Sequence, residues 1–253
     1  MRVMIPMTLQ ISKFPKQLLD DINKGKCIPI IGAGFSKNAV LGSGSIPLWN
    51  DIGKLFAAEL DLDYDGNPID IISNYVHKYK RSVLVEKLRE MLHINEAKPG
   101  KAHISFANLY FKIILTTNFD NLLEKSFEIL KKPYHVITSE YQLASNYSDK
   151  ATLIIKMHGD LNHPNKLVTT EKDYDLYFEN NPLMTTYITG LLINRTPLFI
   201  GYSMNDPDLR QLIKMIHLRL GSFRRPAYAL GIKLGRSEIL RFQRREIEII
   251  NIM

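Results

Sequence analysis

Cysteine is almost absent: of 253 residues only Cys27 carries a thiol. That excludes an intrachain disulfide and any zinc site built from several cysteines, and a lone thiol beside an apolar run reads as a small core residue. Long hydrophobic runs are missing as well. No stretch approaches the roughly 18 apolar residues of a membrane span. Pro6 and polar neighbours interrupt the N-terminus, where a secretory segment needs an unbroken apolar core. A cytoplasmic protein with no membrane role is therefore expected. Acidic residues are the minority, 26 against 33 Lys and Arg, for a net charge of +7. Much of the excess lies late, in Arg219, Arg224, Arg225, Lys233, Arg236, Arg241, Arg244 and Arg245. Such a surface is solvated, faces another subunit or contacts nucleic acid. Aromatic residues are not interleaved there, as a base-stacking platform would require.

What is present is an ordinary globular composition, 45% hydrophobic and 23% charged, enough to bury a sizeable core. A short helix is expected near 15–24, opened by Pro15 and closed by Gly25. A buried strand at 27–31 follows it. Helical periodicity then runs from about 45 to 105, broken by the polar turn Asp63-Tyr64-Asp65-Gly66-Asn67-Pro68. This stretch reads as a helical insertion or cap beside a sheet. Beyond it, apolar runs at 112–116, 135–138, 152–157, 197–201, 227–232 and 247–252 alternate with helical patterns at 121–130, 182–194, 207–220 and 237–244. That alternation predicts an α/β fold: a Rossmann-like, doubly wound, mostly parallel sheet with the helical cap. The whole of 1–253 reads as a single domain. It stops abruptly on an apolar strand, so a further C-terminal domain absent from this sequence is expected.

Chemistry-bearing residues gather just past the carboxyl ends of these strands, where open α/β sheets bind ligands. Gly32-Ala33-Gly34-Phe35-Ser36 follows the first strand. It fits a phosphate cradle or a plain tight turn, because Lys37 leaves the full G-x-G-x-x-G incomplete. Thr117, Asn118 and Asp120 follow the second run, where Asp120 suits a helix cap and Asn118 is not needed for one. His158 ends the 152–157 run and is followed by Gly159 and Asp160. It is either a core histidine or, at that position, an imidazole in a cleft suited to general-base work. His158, Asp160 and His163 lack a convincing further ligand, so no metal is expected. Ser203 and Asn205 precede an Asp206-Pro207 helix start. The glycine that would close a G-x-S-x-G elbow is Asn205, so a phosphate or ribose contact fits better than a nucleophile.

Taken in order, Gly32-Ala33-Gly34-Phe35-Ser36, Ser45-Ile46-Pro47, Thr116-Thr117-Asn118-Phe119-Asp120, His158-Gly159 and Gly201-Tyr202-Ser203 resemble the sirtuin-like domain over nearly the whole chain. Thr117 stands in place of the family's glutamine, Ser45 in place of a glycine, and Asn50 in place of an arginine. The four zinc cysteines of protein deacylases are missing. The chain looks most similar to the prokaryotic sirtuin-like branch of anti-phage defence proteins. That resemblance implies an NAD⁺ glycohydrolase, releasing nicotinamide and ADP-ribose and stopping growth by NAD⁺ depletion. It implies catalytic Asn118, His158 and Asp120, with Asn118 on the ribose hydroxyls or the attacking water. His158 would then accept a proton, and Asp120 would recognise the carboxamide or keep the cleft polar. Gly32, Ala33, Gly34, Phe35 and Ser36 would hold the pyrophosphate, Ser203 and Asn205 the adenosine side, Thr117 would join the ligand-binding set, and Trp49 would line the nicotinamide pocket or serve in the core. The expected partners are NAD⁺, a homo-oligomer or a defence-system protein, and nucleic acid through the basic C-terminal part. An NAD⁺ or ADP-ribose sensor without turnover and an NAD-dependent deacylase are the alternatives.

Overall fold

In the computed structural model, residues 11–203, 206–232 and 234–252 are described. Seven strands, β1 (Cys27–Ile31), β2 (Ile113–Thr116), β3 (Tyr134–Ile137), β4 (Thr152–Lys156), β5 (Thr196–Ile200), β6 (Ala227–Gly231) and β7 (Ile247–Asn251), form one sheet in the order β3-β4-β2-β1-β5-β6-β7. Every neighbouring pair is parallel. All carboxyl ends therefore lie along one edge, and the chain reverses its direction of winding at β1. The expected strands are all present, each shifted by no more than a residue or two.

The strands form where they do because their side chains are apolar on both faces. Ile28, Ile30 and Ile31 of β1 and Ile114 and Leu115 of β2 are fully buried, the pattern of a sheet covered by helices on both sides. Pro29 sits in the central strand, where a missing N–H is costly. Its effect is visible in the pairing: β1 pairs with β5 from Cys27 through Ile31, but with β2 only at Ile30 and Ile31, past the proline.

One face is filled by Met184, Ile188, Leu212 and Ile216 from helices Pro182–Asn194 and Pro207–Leu220. The other is filled by Leu18, Phe106, Leu123 and Phe127. The cap has a core of its own. Helices Trp49–Leu60, Pro68–Tyr79 and Arg81–Met91 bury Ile52, Phe56, Ile72, Tyr75, Leu84 and Leu88 together. This cluster continues into Phe119 and Leu122 after β2 and Leu161 and Leu167 after β4. The expected polar turn is present, with the Asn67 side chain accepting from the Ile69 N–H at 3.2 Å and Pro68 opening the next helix.

The cap is shorter than the helical periodicity suggests. Helix Lys101–Asn108 belongs to the flank of the sheet, because Phe106 and Ala107 pack with Ile114 and Ile154 rather than with the cap. The stem between them is closed by a two-residue bridge in which Val40 and Lys98 exchange backbone hydrogen bonds of 2.8 and 3.0 Å.

Candidate active site

Strand register brings the four turns together. Ile31 pairs with both Thr116 and Ile200, and Thr116 pairs with Lys156. Ala33, Asn118, His158 and Tyr202 thus all stand two residues beyond matched positions, at the carboxyl edge where the winding reverses.

The turn after β2 is organised around Asn118. The Thr116 hydroxyl donates to the Ile31 carbonyl at 3.0 Å and accepts from the Asn118 N–H at 3.0 Å, which fixes the backbone. The Asn118 amide nitrogen then donates to the Gly32 carbonyl at 3.2 Å and to Ser36 Oγ at 2.9 Å. Ser36 Oγ donates in turn to Asp120 Oδ2 at 2.6 Å, and the other Asp120 oxygen accepts from the Leu122 N–H at 3.0 Å. Asn118, Ser36 and Asp120 are all buried. The chain of bonds leaves one acceptor over: Asn118 Oδ1 is buried without a hydrogen-bond partner. A buried unpaired carbonyl costs roughly 1–3 kcal/mol, and such an atom at a ligand-binding edge is a built acceptor for a ligand donor.

Both Asp120 oxygens are occupied, one capping helix Leu122–Ile129 and one orienting Ser36. Asp120 thereby aims Ser36 and, through it, Asn118, and each of its oxygens keeps a lone pair that a ligand donor could use. The glycine turn also differs from a bare cradle. The Gly34 N–H donates to the Gly201 carbonyl at 2.8 Å and the Phe35 N–H to the Gly32 carbonyl at 2.9 Å, so neither is directed at a pyrophosphate. The turns after β1 and β5 pack backbone to backbone. A Cβ on Gly32 or Gly34 would stand 2.7 or 2.8 Å from the Gly201 carbonyl, and one on Gly201 only 2.1 Å from the Phe35 nitrogen. Gly201 also has φ +62°, so glycine is required there twice over.

His158 is not exposed in a cleft: it is 2% accessible. Its Nε2 lies 3.2 Å from Asp208 Oδ2 and 3.4 Å from Asp206 Oδ2, and its ring meets the edges of Tyr174 and Tyr177 at 5.3 and 5.8 Å. Burial opposes a charge on this imidazole, but the carboxylates of Asp206 and Asp208 outweigh it, so its pKa is raised. Burial in turn raises the pKa of Asp208, against the pull of His158. The arrangement places the imidazole between two carboxylates, which favour its charged form. Their ligand atoms lie within 4.8 Å of one another, a spacing that could also hold a metal ion. Asp160 and His163, weighed with His158 as metal ligands, meet each other, with His163 Nδ1 2.8 Å from Asp160 Oδ1.

Beneath the site, Lys156 is buried with its Nζ 2.6 Å from Glu124 Oε1 and donating at 2.6 Å to the Asp120 carbonyl. Trp49 opens the first cap helix and packs edge-on against Phe119 at 5.7 Å, one residue from Asn118. Thr117 donates its N–H to the Ile31 carbonyl at 3.4 Å, and Ser203 is exposed beyond β5. Asn205 lies outside the described residues. Sequence reasoning took Asp206 for a helix cap, which it is, with Oδ1 accepting from the Leu209 N–H at 2.9 Å. It missed that the second oxygen, and Asp208 one residue past the proline, reach His158. An acidic pair flanking Pro207 at a strand end was the available signal.

A parallel doubly wound sheet with a buried Asn-Ser-Asp chain and a histidine at its switch point defines a Rossmann-like fold with a polar cluster where such sheets bind ligands. The chain belongs to the SIR2-like domain family, whose model matches residues 112–250. It is 30% identical over 226 residues to the NAD(+) hydrolase ThsA of Cytobacillus dafuensis, covering 88% of this chain and 44% of that protein. Similarity to the ThsA NAD(+) hydrolase of Enterococcus faecium is 28% over 228 residues, with 87% and 46% covered. The Defense-associated sirtuin 2 of Bacillus subtilis is 30% identical over 221 residues, 84% of this chain and 21% of its own length. The chain thus spans less than half the length of these curated relatives. Among the described residues, no helix is long and apolar enough to cross a membrane.

Proposed function

We propose that this chain hydrolyses NAD⁺ at the nicotinamide–ribose bond and serves as an effector of prokaryotic anti-phage defence by NAD⁺ depletion. The observation that carries the reading is the unpaired Asn118 Oδ1, held by Ser36 and Gly32 at the switch point beside the turn that bears His158. The names of the ThsA relatives and of the defence-associated sirtuin support the same chemistry.

In this reading water attacks C1′ of the nicotinamide ribose as the C1′–N bond breaks. The bond's electron pair moves onto the pyridinium ring, so nicotinamide leaves neutral and C1′ passes through oxocarbenium character. Asn118 Oδ1 accepts from a ribose hydroxyl or from the attacking water. Ser36 and Asp120 keep the amide from turning. Trp49, on Phe119, and Thr117 border the same turn. The pyrophosphate lies over the Gly32–Ser36 turn through its remaining donors, and Ser203 and Asn205 meet the adenosine side.

The proton of the attacking water passes to His158, a step typically worth ~10²–10⁴ in rate. An imidazolium cannot accept it. The step therefore requires the neutral imidazole, which is populated as pH rises through the raised pKa that Asp206 and Asp208 impose. The active setting is cytoplasmic, in a homo-oligomer or with a defence-system protein, and no metal takes part.

Incubation with NAD⁺ and no acyl-lysine peptide, followed by chromatography, tests the reaction. Equimolar nicotinamide and ADP-ribose are expected. Cleavage that needs an acyl-lysine peptide would make the chain a deacylase. NAD⁺ bound but left uncut would make it a sensor.

A further inference from the structure

The surface opposite in character to the buried site is a wide basic groove of about 1180 Å³ between helix Pro207–Leu220 and the turn at 244–246. Arg210 and Lys214 stand one helical turn apart on the first wall, and Arg244 and Arg245 on the second. Glu246 is engaged by Arg224 and lies 3.9 Å from His217. Among the described residues, no ion pair engages Arg210, Lys214, Arg244 or Arg245. Arg210 Nε donates only to the Asp206 carbonyl at 3.2 Å, and Arg245 donates to that of Arg241 at 2.7 Å. The crowding has a cost: burial, then Arg210, Arg244 and Arg241, lower the pKa of Arg245. Like charges left together on a folded surface point to an anion supplied from outside.

We propose that this groove binds the phosphodiester backbone of a nucleic acid, independently of what the buried site does. Three features select that ligand. The cations stand on both walls of a wide groove, a layout that suits a row of phosphates. Three of the four are arginines, whose planar fork matches phosphate oxygens. The lining residues include no Phe, Tyr or Trp, and the exposed Phe223 stands alone between Ser222 and Arg224, so recognition is chiefly of backbone. The net charge of +7 adds attraction at longer range.

Fluorescence anisotropy of a short labelled DNA duplex, titrated with the full chain over a range of salt, tests this. Wild type is expected to bind with a steep salt slope. Arg210→Glu/Lys214→Glu should weaken binding more than tenfold and reduce the slope by roughly 2. A matched pair on exposed cap lysines, Lys54→Glu/Lys78→Glu, should leave both unchanged. Unaltered melting temperatures establish that each variant is folded. Four results would overturn the proposal: no salt-dependent binding by wild type, equal loss in the cap variant, displacement of the duplex by inorganic triphosphate at the same phosphate concentration, or equally tight binding of polyglutamate.

Discussion

At the residue scale, Asn118 and His158 differ in how they are held. Asn118 is fixed by neutral hydrogen bonds that leave one acceptor unpaired, whereas His158 is fixed by charge. Its clamp fixes the sense of a pH effect. Asp206 and Asp208 outweigh burial and keep the imidazolium into higher pH than an ordinary histidine. The stability this contributes is present below the unfolded histidine's pKa and is lost as pH rises through the raised folded one. Nicotinamide release, which requires the neutral imidazole, should rise with pH through the same transition. Asp208→Asn removes one carboxylate, so the acid limb of the pH–rate profile is expected to move to lower pH. An unmoved limb would show that His158 is not the proton acceptor.

At the element scale, the β4 end joins sheet to site. Lys156 and Glu124 form a buried ion pair, and Lys156 also holds the Asp120 carbonyl. Removing one member of such a pair costs roughly 3–5 kcal/mol, while replacing both by apolar residues is far less costly. Lys156→Met alone is therefore expected to lower urea-unfolding stability by that order, and Lys156→Met/Glu124→Leu to recover most of it. Equal losses in the two would mean that the pair does not support the turn. The cap is latched to the loop after β4 by Arg81, which donates to Asp173 at 2.9 Å and to the Pro164 and Leu167 carbonyls, and by Arg89, which donates to Leu161.

Much of this is legible in the sequence, for a physical reason. Strands buried on both faces are short continuous apolar runs, and helices that start with proline or end at glycine mark themselves. Residues past strand ends are therefore located by sequence alone, as Asn118 and His158 were. What they touch is set by register between segments far apart. Asp208 reaching His158 across 50 positions, and Arg81 reaching Asp173 across 92, leave no local pattern. Helix Lys101–Asn108 was placed with the cap because periodicity shows an apolar face but not its neighbour.

At the scale of the whole molecule, the buried site and the basic groove meet at one element. Asp206 and Asp208, at the start of helix Pro207–Leu220, hold His158, and Arg210 and Lys214 of the same helix face the groove. The central claim is that Asn118 and His158 together cleave NAD⁺. The most direct test is the rate of nicotinamide release by wild type, Asn118→Ala and His158→Ala, over a range of protein concentration and with melting temperatures measured alongside. Release by wild type that falls at least a hundredfold in each folded variant is the predicted result; full activity in either folded variant would contradict the account.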